Sequence, residues 1–175
     1  MPTVRPATPA DLPQLAQLAA LTFPLACPPH TTDEAKAAFI ATHLTEAHFA
    51  GYLADPARDV LVAEEGGELA GYVMNVEGEP ADADVAAAIR IRPTVELSKC
   101  YVHPGRHGAG VAGSLMTAAL AAAAARKAAG VWLGVNQENA RAQAFYGKHG
   151  FERVGVKRFL VGERYEDDYV YERAL

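Results

Sequence analysis

Long apolar runs, paired cysteines and an excess of positive charge are all missing from this chain of 175 residues. The longest uninterrupted apolar run, Ala118 to Ala125, is nearly all alanine and far short of the roughly 20 residues that span a bilayer. Met1 to Arg5 carries no long apolar stretch, so neither a signal peptide nor a membrane partner is expected. Two cysteines, Cys27 and Cys100, make neither a disulfide framework nor a CxxC pair, which points to a reducing, cytoplasmic setting. Lys and Arg number 16 against 21 Asp and Glu, a net charge of −5. Without a basic face to neutralise phosphates, no nucleic-acid partner is expected. No repeat and no linker interrupts the chain, and its length predicts one domain over residues 1–175.

What is present is enough apolar material for a core: 50% hydrophobic residues, much of that alanine, with 21% charged. Val4 to Ala7 reads as a short strand. From Asp11, Leu12, Leu15 and Leu18 recur at helical spacing, with Pro13 tolerated in the first turn. The stretch from Phe23-Pro24 to Pro28-Pro29 is expected to break that helix. A second helical region takes Thr32 as its N-cap and Phe39, Ile40, Leu44, Phe49 and Leu53 as its apolar residues. Val60–Ala63 and Leu69–Met74 flank Glu65-Gly66-Gly67-Glu68, a hairpin signal. Glu77 to Pro93 starts acidic and reads as a loop or a short helix. Next come a strand from Val95 to Val102, a helix from Val111 to Ala129 and a strand from Val131 to Val135. A helix from about Asn139 to His149, capped by Gly150, and strands Phe151–Val161 and Tyr169–Glu172 complete an α+β pattern.

The chemistry concentrates in Val102-His103-Pro104-Gly105-Arg106-His107-Gly108-Ala109-Gly110-Val111-Ala112-Gly113-Ser114, where a strand passes through a glycine-rich turn into a long helix. The first turn of a helix offers unpaired N–H groups and a positive dipole end, and glycines let an anion approach the backbone. A pyrophosphate-bearing cofactor suits that arrangement; the plain alternative is a connection that binds nothing. Gly108-x-Gly110-x-x-Gly113 also satisfies the dinucleotide fingerprint. However, the next strand ends at Val135-Asn136 without the acid that would hold ribose hydroxyls, and the motif falls too late in the chain for a doubly wound sheet. No Gly-Lys-Ser/Thr follows, so a Walker loop is excluded.

His107-Gly108-Ala109-Gly110-Val111-Ala112 resembles the acyl-CoA pyrophosphate loop of the GNAT superfamily of N-acetyltransferases, Arg/Gln-x-x-Gly-x-Gly/Ala, with Val102-His103-Pro104 and Leu115-Met116 fitting on either side. Asn136 to Phe151, containing Ala142-Gln143-Ala144-Phe145-Tyr146 and Gly150-Phe151, resembles the family's second signature. His107 departs from the pattern, standing where the family has Arg or Gln, and Arg106 beside it is a candidate replacement for the lost charge. The resemblance is sharp from about Glu96 to Val154. It implies a single GNAT-like α+β domain whose mixed sheet of about six to seven strands splays at the acyl-CoA site, with helices on both faces. It also implies acetyl-CoA as acyl donor, laid along Tyr101 and Val102 and held by His107, Gly108, Gly110, Val111, Ala112, Gly113 and Ser114, with Asn136, Asn139 and Tyr146 opposite.

Acetyl transfer needs an unprotonated amine, and neutralising an amine of pKa about 10.4 at pH 7 costs ~4.6 kcal/mol. Glu96, eleven positions before His107, stands where some family members carry a glutamate base. Strict strand alternation places Glu96, Ser98, Cys100 and Val102 on one face and Leu97, Lys99 and Tyr101 on the other. The alternative for Glu96 is a solvated or salt-bridged strand carboxylate. Tyr146, two helical turns after Asn139, is the candidate acid for the leaving thiolate, or else an aromatic packed beside Phe145. Gly147, unusual inside a helix, suggests that something bulky approaches there. Trp132 reads as core. His103 and His107 lack metal-ligand spacing, so no metal is expected, and no His–acid arrangement accompanies Cys100.

Two acidic groups, Glu77/Glu79/Asp82/Asp84 and Glu163/Glu166/Asp167/Asp168, favour a cationic acceptor. The tail Phe159 to Glu163 with Asp168-Tyr169, and Trp132 to Val135, resemble bacterial spermidine/spermine acetyltransferase-like members. A small-molecule primary amine, with polyamines ahead of other small amines, is therefore the expected acceptor. Acetylation of a protein N-terminus or lysine, or a non-catalytic acyl-CoA-binding module, are the alternatives, and a homodimer is left open.

Overall fold

The computed structural model describes residues 2–175 apart from the side chain of Phe159; Met1 and that side chain, each part of a segment interpreted from the sequence, lie outside the described residues. Strand β1 (Thr3–Pro6) precedes helices α1 (Leu12–Ala26), α2 (Asp33–His43) and α3 (Glu46–Ala54), followed by the hairpin of β2 (Arg58–Glu65) and β3 (Glu68–Glu77). After α4 (Ala83–Ala88) come β4 (Thr94–Val102), α5 (Val111–Ala125), β5 (Gly130–Asn136), α6 (Ala140–Lys148), β6 (Glu152–Val161) and β7 (Arg164–Ala174). The strands form one sheet in the order β1-β2-β3-β4-β5-β7-β6. Among the described residues only β4 and β5 run parallel.

Helices cover both faces. Val111, Leu115, Met116, Ala119 and Ala123 of α5 pack with Val73, Val95, Leu97 and Leu133; the small residues bring this helix close to the sheet. On the other face, Leu15, Leu18 and Phe23 of α1 and Phe49 of α3 meet Val62, Tyr72 and Met74. Leu15 and Phe49 have no exposed surface, and burying each contributes about 1.5–3 kcal/mol. Val85 and Ile89 close over Trp132 and Val170, which confirms Trp132 as core.

Several boundaries depart from the sequence pattern for identifiable reasons. Helix α1 runs through Pro24 to Ala26, because a proline in the last turn removes only one intrahelical bond. The second helical region is two helices. Thr32 does cap α2, accepting from the Ala35 N–H at 3.1 Å, while Leu44 leaves helical geometry and Thr45 caps α3 through the His48 N–H at 3.2 Å. Helix α5 stops at Ala125 rather than Ala129, and Lys127 adopts a positive φ of 62°. The last hairpin is much tighter than expected: β7 begins at Arg164, not Tyr169, so Glu166, Asp167 and Asp168 are strand residues. Strand pairing with β6 outweighed the low strand propensity of Asp and Glu.

The feature that positions the site is a fork. Strands β4 and β5 pair only through Thr94–Glu96 and Gly130–Trp132, and beyond those residues they diverge. A bulge lies just above the root of the fork: Asn75 opposes Leu97 while Met74 opposes Lys99, leaving Ser98 unpaired with β3. This corrects the strict alternation expected for β4. Cys100 and Val102 join Leu97 on the α5 side, while Tyr101 packs with the α1 cluster. Glu96 therefore shares its side with Lys99 and Tyr101, not with Cys100 and Val102.

Candidate active site

A cavity of about 400 Å³ occupies the fork, lined by β4 from Glu96 to Val102, by Gly134 to Asn136 of β5, and by α6, β6, β7 and the C-terminal half of α1. At one end stands the loop before α5. His103 accepts from the Gly105 N–H at 3.0 Å, folding a single helical turn over Pro104–Arg106. Gly108 and Gly110 then take φ values of 85° and 79°, a left-handed conformation that glycine adopts without cost. Gly110 caps α5 with no side chain over the first-turn amides, and that turn contains no acid. A Cβ added at Gly108, Gly110 or Gly113 would meet nothing within 4 Å, so a phosphate group has open access to this backbone. The residues present fit a pyrophosphate. Val111 turns its side chain into the core, leaving its backbone for any ligand; Ser114 is half-buried one turn on.

His107 lines the cavity, its ring Nε2 3.2 Å from the Val102 carbonyl. Arg106 does not replace its missing charge: its guanidinium is paired with Glu65 and lies 3.7 Å from Glu68. Across the fork, Asn136 and Asn139 both reach the cavity, but their Oδ1 atoms accept from the Glu138 and Ala142 N–H groups. Asn139 thereby caps α6. Tyr146 lines the same cavity while its ring packs against Phe145 and Phe151, so it is both packed and exposed to the fork. Burial pushes its phenol well above the ordinary range, which keeps its proton in place through neutral pH. Gly147 is exposed, and no protein atom lies within 4 Å of a Cβ placed there, so the space beside it is open. The Cys100 thiol is pushed up to about 12 by burial, which removes it as a nucleophile.

Toward the α1 side the cavity becomes charged. Burial raises the Glu96 carboxyl above the usual glutamate range against the pull of Lys157, Lys99 and Arg58. Burial likewise lowers the Lys99 ammonium, with Glu96 acting in the opposite sense. The sequence did not single out Lys99, Lys157 or His30, and it placed Glu166 and Asp168 in a loop. Glu166 and Asp168 alternate along β7 and both line the cavity; a strand reading of that segment would have put them on one side. Glu166 is buried and held by His30 Nε2 at 2.7 Å, with His30 Nδ1 3.6 Å from Glu138. Among the described residues these three offer atoms within 4.8 Å of one another. Of these contacts only that between His30 Nε2 and Glu166 is a hydrogen bond; Glu138 lies beyond hydrogen-bond reach of Nδ1. The other acidic group lies apart from the cavity: Glu77 pairs with Arg126, Glu79 with Arg92, and Asp82 caps α4.

The forked parallel pair and the glycine-cradled helix start both lie within the segment that the family comparison matches. Residues 14–151 match the family model for the acetyltransferase (GNAT) family. The chain belongs to the GNAT family. A Mycobacterium tuberculosis protein described as an uncharacterized N-acetyltransferase is 47% identical over 165 residues, covering 94% of this chain and 98% of that one. Among solved structures, the PaiA N-acetyltransferase of Thermoplasma acidophilum in complex with coenzyme A superposes with a TM-score of 0.79 at 17% identity, covering 100% of this chain and 99% of that one. A ribosomal-protein-alanine N-acetyltransferase of Brucella melitensis gives 0.67 at 26% identity, covering 99% of each chain. The protein is an N-acetyltransferase of this family, and none of the helices in its described residues is long and apolar enough to cross a membrane.

Proposed function

We propose that this GNAT protein moves the acetyl group of acetyl-CoA to a primary amine of a small molecule. The observation that carries the reading is one cavity that runs from His107 and Ala112 at the α5 start, through the fork, to the carboxylates on the α1 side. Acetyl-CoA supplies an activated thioester. The first-turn amides of α5, the glycines 108, 110 and 113, Ala112, Ser114 and His107 hold its diphosphate, and the divergent edge of β4 at Tyr101 and Val102 binds its extended arm by strand addition. Unpaired N–H groups on that edge stabilise negative charge developing on the acyl oxygen. Glu96 takes the amine proton on its carboxylate, through a water because it sits at the closed root of the fork, and its raised pKa suits that task. Tyr146 donates its Oη proton to the sulfur.

The acceptor side argues against a polycation. Lys99 and Lys157 line it together with Glu96, Glu166 and Asp168, so its charges largely offset, and Glu166 is already engaged by His30. A second reading, acetylation of a protein N-terminus, draws on the name of the Brucella relative. The test is thiol release from acetyl-CoA with spermidine, spermine, amino acids, aminoglycosides, simple monoamines and peptides. Turnover of free amines supports the proposal and turnover of peptides alone transfers support to the second reading. No turnover, with coenzyme A still raising the melting temperature, would leave a non-catalytic binding module.

A further inference from the structure

One buried polar atom in the cavity has no hydrogen-bond partner in the protein. Asp168 is 6% exposed, lines the cavity, and its Oδ1 is buried without a hydrogen bond. An unsatisfied buried carboxylate oxygen is costly, and native folds keep few of them without a use. Its position is also specific. Asp168 opposes Asn136 on β5, whereas Glu96 opposes Trp132, four residues nearer the root of the fork, and Lys157 acts electrostatically on both carboxylates. Glu96 sits where the fork closes; Asp168 sits level with its open part, close enough to Tyr101 across the gap to affect the phenol electrostatically.

Strand β5 is bare between them. At Gly134 a Cβ would come within 2.5 Å of Lys157 Cε, 3.3 Å of Asp168 Oδ2 and 3.4 Å of Lys157 Nζ, so a larger residue there would have to displace the end of the Lys157 side chain. The same cavity has an apolar part lined by Phe23 and Leu25 from α1, Phe39 from α2, and Leu44. Phe23 and Phe39 stack at 4.3 Å.

We propose that Asp168 is the group that binds the acceptor's nitrogen, accepting a charge-assisted hydrogen bond from a single primary ammonium carried on an apolar body that lies against the Phe23–Phe39 wall. The inference rests on the acetyltransferase reading of the cavity and names the substrate class for it. Burial holds the Asp168 carboxyl up at about 6, against Lys157, which stands opposite it across β6 and β7, and in step with Glu166 and Asp167; an incoming ammonium supplies a partner for the Oδ1 that the fold leaves bare. Hydrogen bonds to charged groups are the strong ones, so one such contact accounts for orientation without a polyanionic socket.

The experiment compares wild type with Asp168→Asn, which keeps shape and removes charge, using 2-phenylethylamine and spermidine as acceptors. The expected result is a lower KM for 2-phenylethylamine than for spermidine in the wild type. In Asp168→Asn the amine KM rises at least tenfold, while the acetyl-CoA Kd by calorimetry stays within twofold. An unchanged amine KM, or an equal loss of acetyl-CoA binding, overturns the proposal. Carbon-13 NMR of the side-chain carboxyls separates this from failure of the broader reading. If the wild type acetylates neither amine, the resonance missing from Asp168→Asn still decides: a shift on titrating 2-phenylethylamine supports the anchor, and no shift rejects it.

Discussion

The two ends of the cavity are built from different materials. The end at the α5 start is made of main chain: glycines in left-handed geometry and amides with no side chain above them. The end toward α1 is made of side chains, with Glu96, Lys99, Lys157, Glu166 and Asp168 arriving from β4, β6 and β7. A main-chain site binds a ligand whose chemistry is constant, because amides present the same donors whatever the neighbouring residues. A side-chain site can be changed one residue at a time. The comparison teaches that donor recognition is carried by backbone shape in this protein, whereas acceptor choice rests on a few buried charges.

The sharpest way to break this contrast is at the main-chain end. Gly110→Glu puts a carboxylate and a Cβ at a φ of 79° beside open space; repulsion of the diphosphate is expected to raise the acetyl-CoA Kd beyond calorimetric detection with the fold intact by circular dichroism. Retained affinity would move the coenzyme elsewhere. Tyr146→Phe tests the junction of the two ends, with kcat expected to fall roughly 10- to 1000-fold, as acid catalysts contribute, and acetyl-CoA affinity little changed. A rate equal to wild type removes the phenol from the chemistry.

At the side-chain end, Glu96→Gln is expected to lower kcat by roughly 10- to 100-fold. It should also flatten the acid limb of kcat/KM, which burial sets above the ordinary glutamate range. Persistence of the same limb in the variant would assign it to another group. Asp168 supplies a stability measurement that needs no substrate. Its carboxyl titrates at about 6 when folded against the ordinary aspartate value of 3.8, so the folded state binds the extra proton and stability falls as pH rises from 3.8 to 6. The ionised group costs about 3 kcal/mol above that window. Asp168→Asn should therefore unfold at higher urea than wild type at pH 7.5, with the gain disappearing near pH 4; equal curves at both pH values would deny the buried charge. The smallest effect is expected far from both ends, where Thr32→Ala removes the α2 cap and costs about 1 kcal/mol with kinetics unchanged.

The same contrast explains what was legible beforehand. The loop from His103 to Gly113 could be read because its function lies in consecutive residues whose backbone conformations are dictated by glycine. Thr32 as a helix cap and Trp132 as core followed from equally local patterns. The β4 faces were misjudged because a bulge at Ser98 is decided by pairing with β3, which no feature of Val95–Val102 announces. Arg106 looked available because its partners, Glu65 and Glu68, lie about forty residues away in the chain. The acidic run at the end read as loop because Asp and Glu favour turns, and only pairing with β6 and β5 made it a strand.

Sequence alone determined the order of elements, the glycine-cradled helix start and, through these, the family, since each depends on contacts within a few residues. Tertiary structure decided which charges face the fork and which are spent on one another. Asp168 became an unsatisfied buried acid, and Glu166 a partner of His30, only when strands distant in the chain were laid side by side. Burial and electrostatic pairing are properties of neighbours in space, and folding alone assigns those.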